Sequence, residues 1–199
     1  RIAGAAVNIE AAKRAEDIAA RDVTFRSCAF FDIGGSAIQI GDVGRYAHHP
    51  FGDEQLVRSV RVEKCTIYKI GAEFEDSVGI FGGYIQNCAL VGNEIYEVPY
   101  SAISSGWGWG EEDAGGSTYP IPFVYESPTP ARDNRIANNH IHHVMQKRLD
   151  GGGIYTLGNM PGTVIEGNHI HDNLGWPGGI YLDEGSGFIE VRNNKVYNV

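Results

Sequence analysis

The sequence predicts an all-β chain wound as a parallel β-helix. Three observations carry this reading. First, a block of sequence recurs: Asn139-His140-Ile141-His142 and Asn168-His169-Ile170-His171 lie 29 residues apart at the Asn. Each copy runs on into a Gly-Gly-Ile-Tyr stretch, ending at Tyr155 and Tyr181. A repeat of that size marks a solenoid in which each copy is one rung stacked on the next. Second, apolar and polar residues alternate locally with a period of two, which is the signature of strands. Third, Gly and Asn collect between the alternating stretches, where corners need positive φ or a side chain that bonds the turn backbone.

The elements follow in order from an alignment on the repeated Asn. Ala6-Val7-Asn8-Ile9 resembles Ala37-Ile38-Gln39-Ile40, so the chain opens inside a rung. Residues 10–17 are rich in Ala, Lys and Glu and read either as a helical turn or as a surface loop between strands. Cys28, Cys65, Asn93, Asn139, Asn168 and Asn194 then fall in register as anchors. An apolar residue follows two positions later in each: Phe30, Ile67, Ile95, Ile141, Ile170 and Val196. Others precede the anchors, among them Phe25, Val62, Leu90, Ile136, Ile165 and Val191. A second apolar landmark closes each complete rung at Ile38, Ile80, Ile103, Ile154 and Ile180, set among small residues. Stacked anchor Asn side chains are expected to bond one another in a ladder, with Cys28 and Cys65 taking that corner in the first two rungs.

The plain rung is about 26 to 29 residues, and two rungs carry insertions at roughly residues 41–55 and 107–133. Both leave the chain just after a landmark Ile, so both map to one face, the usual position of a binding face in a solenoid. Residues 1–199 therefore read as a single β-helix domain of about five to six rungs. No polar capping segment is visible at either end, and open solenoid cores need caps. The expectation is a piece of a longer β-helix whose remaining parts are missing.

The formal charge of −9 argues against nucleic acid, whose binding needs basic clusters, but not against neutral sugars. No stretch of about 18 apolar residues exists to span a membrane as a helix. The three cysteines read as free buried thiols that act as small apolar fillers, although Cys28 and Cys65 stack in adjacent rungs and could meet.

The densest titratable cluster lies between His140 and Glu184. With Ile154 and Ile180 pointing inward, Tyr155 and Tyr181 point outward; Leu182 then points in and Asp183 out. Asp183 and Glu184 thus reach the face that carries the insertions. Asp150 precedes Gly151, Gly152 and Gly153, whose bare backbone is expected to let a sugar ring lie close. Two carboxylates with room for a sugar between them are what glycoside hydrolysis needs: one protonates the leaving oxygen, the other attacks or activates water. Asp150 and Asp183 are the first pair, with Glu184 as a further candidate. Both Asp also read as plain corner residues bonding a turn backbone. Trp107 and Trp109 sit among glycines, and exposed Trp rings stack well on sugar C–H surfaces. Residues 119–130, rich in Pro and Tyr, read as a lid over the site; Glu111, Glu112 and Asp113 read as a solvated run or its rim. His142, His143 and His171 are candidates to bond sugar hydroxyls or tune Asp150; stacking with Tyr68, Tyr96 and Tyr197 in an outer aromatic column is the plainer alternative. Tyr155 and Tyr181 complete the substrate-binding candidates. The His spacing matches no common zinc pattern, and neither metal nor other cofactor is expected.

At Asp150-Gly-Gly-Gly-Ile-Tyr-Thr, Gly167-Asn-His-Ile-His-Asp172 and Gly179-Ile-Tyr-Leu-Asp-Glu-Gly-Ser186, the chain resembles secreted right-handed β-helix carbohydrate-active proteins. The nearest sense is of glycoside hydrolase family 141, with its α-L-fucosidase and xylanase activities; the stretch from Tyr100 to Gly110 fits the same group. The resemblance covers most of residues 20–199, though its specific part is about 100 residues. It implies a right-handed helix, a secreted, periplasmic or cell-surface location, a polysaccharide or complex glycan as substrate, and Asp150 and Asp183 as the catalytic carboxylates. Members are normally much longer than this chain. Two other readings stand beside it. A polysaccharide lyase or uronate epimerase would use a basic residue, for which Lys147 and Arg148 are the nearby pair. A non-catalytic scaffold, adhesin or carbohydrate-binding rod would use the fold without chemistry.

Overall fold

The computed structural model describes residues 4–107 and 129–199. Among them, regular structure is almost entirely short parallel strands in three six-stranded sheets. Sheet I stacks Val7–Ile9, Ile38–Ile40, Ile80–Gly82, Ile103–Gly106, Gly151–Leu157 and Pro177–Leu182. Sheet II stacks Thr24–Arg26, Arg61–Glu63, Ala89–Val91, Arg135–Ala137, Asn159–Glu166 and Gly187–Arg192. Sheet III stacks Ala29–Phe31, Thr66–Tyr68, Glu94–Tyr96, His140–His142, His169–His171 and Lys195–Tyr197. A small parallel pair joins Val57–Arg58 to Ile85–Gln86. The chain visits sheets II, III and I in turn and then returns to II, so every strand pairs with its equivalent one repeat away. This is the architecture of a β-helix solenoid.

The register follows the apolar landmarks. Val7, Ile38, Ile80, Ile103, Ile154 and Ile180 are consecutive partners across sheet I. Phe25, Val62, Leu90, Ile136, Ile165 and Val191 align across sheet II. Phe30, Ile67, Ile95, Ile141, Ile170 and Val196 do so across sheet III. Alternation makes this register obligatory, since a slip by one residue would turn each inward Ile to water. Each buried aliphatic side chain contributes roughly 1.5–3 kcal/mol, and the inward column of sheet I is completely buried from Ile38 to Ile154.

The corner between sheets II and III holds the expected ladder. Asn93, Asn139 and Asn168 each donate Nδ2–H to Oδ1 of the next anchor Asn at 2.9–3.0 Å. The same Oδ1 atoms accept the preceding anchor's backbone N–H. Each Nδ2 also donates to a sheet II carbonyl: Val62, Leu90, Ile136 and, from Asn194, Ile165. Cys65 continues the corner more weakly, its thiol directed at the Phe25 carbonyl at 3.7 Å. Cys28, Cys65 and Cys88 are all free thiols, and burial pushes the Cys88 thiol up to about 11.

Residues 10–17 take the loop, one of their two expected forms, and Ala11 and Ala12 are buried in it. Two departures from the sequence reading have physical causes. Leu182, expected to point inward, is 43% exposed on the last strand of its sheet. The backbone of Gly151, Gly152 and Gly153 is packed against the protein's own atoms. A Cβ on Gly151 would meet the Tyr100 ring at 2.6 Å, and one on Gly153 would meet Ile170 at 2.8 Å. These glycines are buried, and they make room for the protein's own side chains. The first insertion contains the short helices Arg45–His48 and Asp53–Gln55, and no helix among the described residues is long and apolar enough to cross a membrane.

Candidate active site

The site is built on the outward column of sheet I. One residue after each landmark Ile stands Asn8 (after Val7), Gln39, Phe81, Ser104, Tyr155 and Tyr181, all in register. An open groove of about 770 Å³ runs over this column and is lined by Gln39, Phe81, Ser104 and Tyr155, with Tyr100, Trp107, Arg148 and Asp150 at its sides.

Asp183 lies just past the strand that carries Tyr181. Its Oδ2 accepts the Tyr155 hydroxyl at 2.6 Å and its Oδ1 accepts the Tyr181 hydroxyl at 2.9 Å. The two phenol rings stack at 5.3 Å, so pairing of their strands delivers both hydroxyls to one carboxylate. Asp150 enters from the opposite end of its strand. Asp150 takes the left-handed conformation at the corner before that strand, φ 62°, and its carbonyl accepts the Tyr100 hydroxyl at 2.6 Å. Both aspartates then act on the same tyrosines. Burial first, then the charges of Asp150 and Asp183, push Tyr100 up to about 12. Tyr181 is likewise pushed up to about 12, by desolvation, its bond to Asp183, and the charge and side-chain contact of Asp150. Tyr155 is raised further, by burial and then its bond to Asp183. These phenols are therefore firm O–H donors at neutral pH.

The remaining candidates are placed differently. Glu184 is exposed, and its carbonyl accepts from the Gly158 N–H at 3.1 Å. Asp183 and Tyr181 lie beyond Tyr155 rather than among the groove-lining residues. Trp107 is half-buried against Phe81, with ring centroids 6.4 Å apart, and its carbonyl accepts the Tyr84 hydroxyl. Trp109, Glu111, Glu112, Asp113 and the lid expected over residues 119–130 lie outside the described residues, apart from Thr129 and Pro130. His142 and His171 belong to sheet III and His143 follows it, so the fold does not bring them to the Tyr155–Asp183 cluster. They join a continuous outer column instead: Phe31, Tyr68, Tyr96, His142, His171 and Tyr197 stack ring on ring at 5.0–5.3 Å.

Tyr100, Gln39, Phe81 and Ser104 were not among the sequence candidates, and Arg148 stood there only as a base for the lyase reading. For Gln39, Phe81 and Ser104 the signal existed, because each directly follows a landmark Ile. Lys147 and Arg148 are both engaged with Glu75, at 3.0 and 3.8 Å, and Lys147 above all holds the Glu75 carboxyl below its usual range.

Fold and groove together define an all-β solenoid with a carboxylate–tyrosine cluster at one end of an open cleft. A solved structure named as a glycoside hydrolase is similar: 27% identity and a TM-score of 0.76, covering 96% of this chain and 31% of that one. The chain thus spans about a third of that protein's length. No family model and no curated protein matches the chain.

Proposed function

We propose that this chain carries the site of a glycoside hydrolase that acts on a polysaccharide or complex glycan, with Asp150 and Asp183 as its two carboxylates. The observation that carries the reading is the pair of tyrosine hydroxyls on Asp183 at the end of an open groove that Asp150 lines. The similarity to a protein named glycoside hydrolase supports it. Asp183, held by two O–H donors, is fixed as an acceptor and is assigned as nucleophile or base. Asp150, exposed at the groove, is assigned as the acid that protonates the leaving oxygen. Trp107 and Tyr100 supply apolar and hydroxyl surface to the sugar. The finer reading is a right-handed helix of about five to six rungs, of the family 141 type, in a secreted protein. The lyase alternative is disfavoured because both candidate bases, Lys147 and Arg148, are engaged with Glu75.

The test is hydrolysis of a panel of plant and microbial polysaccharides and aryl glycosides by the chain and its variants. Asp150→Asn and Asp183→Asn should each lower kcat by about 10²–10⁴-fold without lowering Tm by more than a few degrees. Asn suits both positions, since it tolerates the left-handed backbone at 150. Sugar binding without cleavage, unchanged in both variants, would leave the scaffold reading in its place.

A further inference from the structure

Sheet III carries a second cluster, unconnected to the groove. His140 and His142 on one strand pair with His169 and His171 on the next, so four imidazoles form a square. Ring centroids along its edges are 4.7, 5.0, 5.3 and 4.8 Å apart. A His-X-His strand places both side chains on one face, and parallel pairing doubles the motif. Across one diagonal, Nε2 of His140 and Nε2 of His171 approach to 2.9 Å.

The other nitrogens of these two rings face carboxylates. Nδ1 of His171 lies 2.7 Å from Oδ2 of Asp172, and Nδ1 of His140 lies 3.5 Å from Oε1 of Glu94. An imidazole that donates Nδ1–H to a carboxylate keeps its lone pair on Nε2. His171, bonded through Nδ1 to Asp172, therefore presents its Nε2 lone pair to His140 across 2.9 Å, a spacing that a shared proton or a bound cation bridges. A carboxylate behind a ligand imidazole is the usual outer support of a metal-bound histidine. A metal–nitrogen distance of about 2.0–2.1 Å puts two nitrogens at a right angle roughly 2.8–3.0 Å apart, and at a tetrahedral angle roughly 3.3–3.4 Å apart. The observed spacing fits the right angle, the preference of square-planar or tetragonal copper(II) and nickel(II). His169 lies close enough to supply a third nitrogen, with all three ligand atoms within 4.8 Å of one another. Around the square, Glu94 and Asp172 favour a cation and Lys195, beside His169, opposes it.

We propose that His140, His171 and His169 form a site for a late first-row divalent cation with right-angled coordination, nickel(II) or copper(II), that clamps two adjacent strands of sheet III. Sequence spacing hid the site because its ligands meet through strand pairing and not through a local motif.

The experiment is calorimetric titration of the untagged chain with NiCl₂, followed by Tm. One equivalent should bind with a micromolar dissociation constant. Free nickel at about a hundredfold that constant should raise Tm by about 5–10 °C, whereas CaCl₂, which seeks oxygen ligands, should do neither. His171→Phe keeps a ring stacked between His142 and Tyr197 while it removes both nitrogens, so it should fold and lose the nickel effect; His140→Gln should lose it too. His48→Gln with His49→Gln, a close His pair remote from sheet III, should retain it. Absence of one-to-one binding, or binding that survives His171→Phe, overturns the proposal. A ¹⁵N spectrum showing a proton held between the two Nε2 atoms at neutral pH with nickel present overturns it as well.

Discussion

At the residue scale, Tyr155 is the hinge between stability and the proposed chemistry. Its ring is packed between Tyr100 and Tyr181, and its hydroxyl is committed to Asp183. Tyr155→Phe keeps the packing and removes one O–H donor from the carboxylate. A hydrogen bond to a charged group is worth about 1.5–3 kcal/mol, so we expect hydrolysis to fall about 10–100-fold, read as kcat/KM. The same variant has a signature in pH. Burial and Asp183 raise the folded-state pKa of Tyr155 above its ordinary 10.0. Above pH of about 10 the unfolded chain releases that proton while the folded chain keeps it, so stability falls as pH rises through this window. Tm of the native chain should drop between about pH 9.5 and 11, and Tyr155→Phe should flatten that limb. Tyr155 was legible in the sequence because it follows Ile154 in a strand; Tyr100 was not, because it sits on a corner where alternation no longer says which way a side chain turns.

At the scale of elements, strands of three residues cannot hold themselves, and the corners do much of the specifying. Asn139 satisfies the Asn93 N–H and Nδ2, the Leu90 carbonyl and the Asn168 Oδ1 in one buried side chain. Asn139→Ala leaves those groups unpaired away from water and should cost at least about 3 kcal/mol in urea unfolding. Asn194→Ala, at the less buried end of the ladder, should cost clearly less. Part of the acid limb of stability lies in sheet II. Arg61 and Arg26 hold the Glu63 carboxyl below its ordinary 4.5, and Arg192 and Arg135 do the same for Glu166. Each contributes stability present above that ordinary value and lost as pH falls through the lowered folded one, and exposure to solvent keeps each contribution small. This ladder and the six anchors were readable in advance, since Asn and Cys recur two residues before an apolar position. The His square was visible as letters but not as a site. Pairing of His140 with His169 is a consequence of register, whereas the metal patterns one reads from a chain are spacings along it.

At the scale of the whole molecule, the described residues behave as a one-dimensional stack in which each layer meets only its neighbours. Position along the stack should therefore decide what a core substitution costs. Ile103→Ala, fully buried with a strand on either side, should cost about 2–5 kcal/mol and lower Tm by roughly 5–15 °C. Val196→Ala, 40% exposed on the last strand of sheet III, should cost less than about 1 kcal/mol. Thermal unfolding of the two variants measures the contrast directly. The parallel register of the three sheets also has a mechanical consequence. Every strand lies across the direction of stacking, and its hydrogen bonds point along it. Tension applied along the stack loads those bonds one after another, as a zipper is opened, instead of shearing a whole row at once. The molecule should yield to a pull at low force in steps of one layer, each releasing a length of chain set by the repeat, and the two rungs with insertions should appear in such a trace as longer steps.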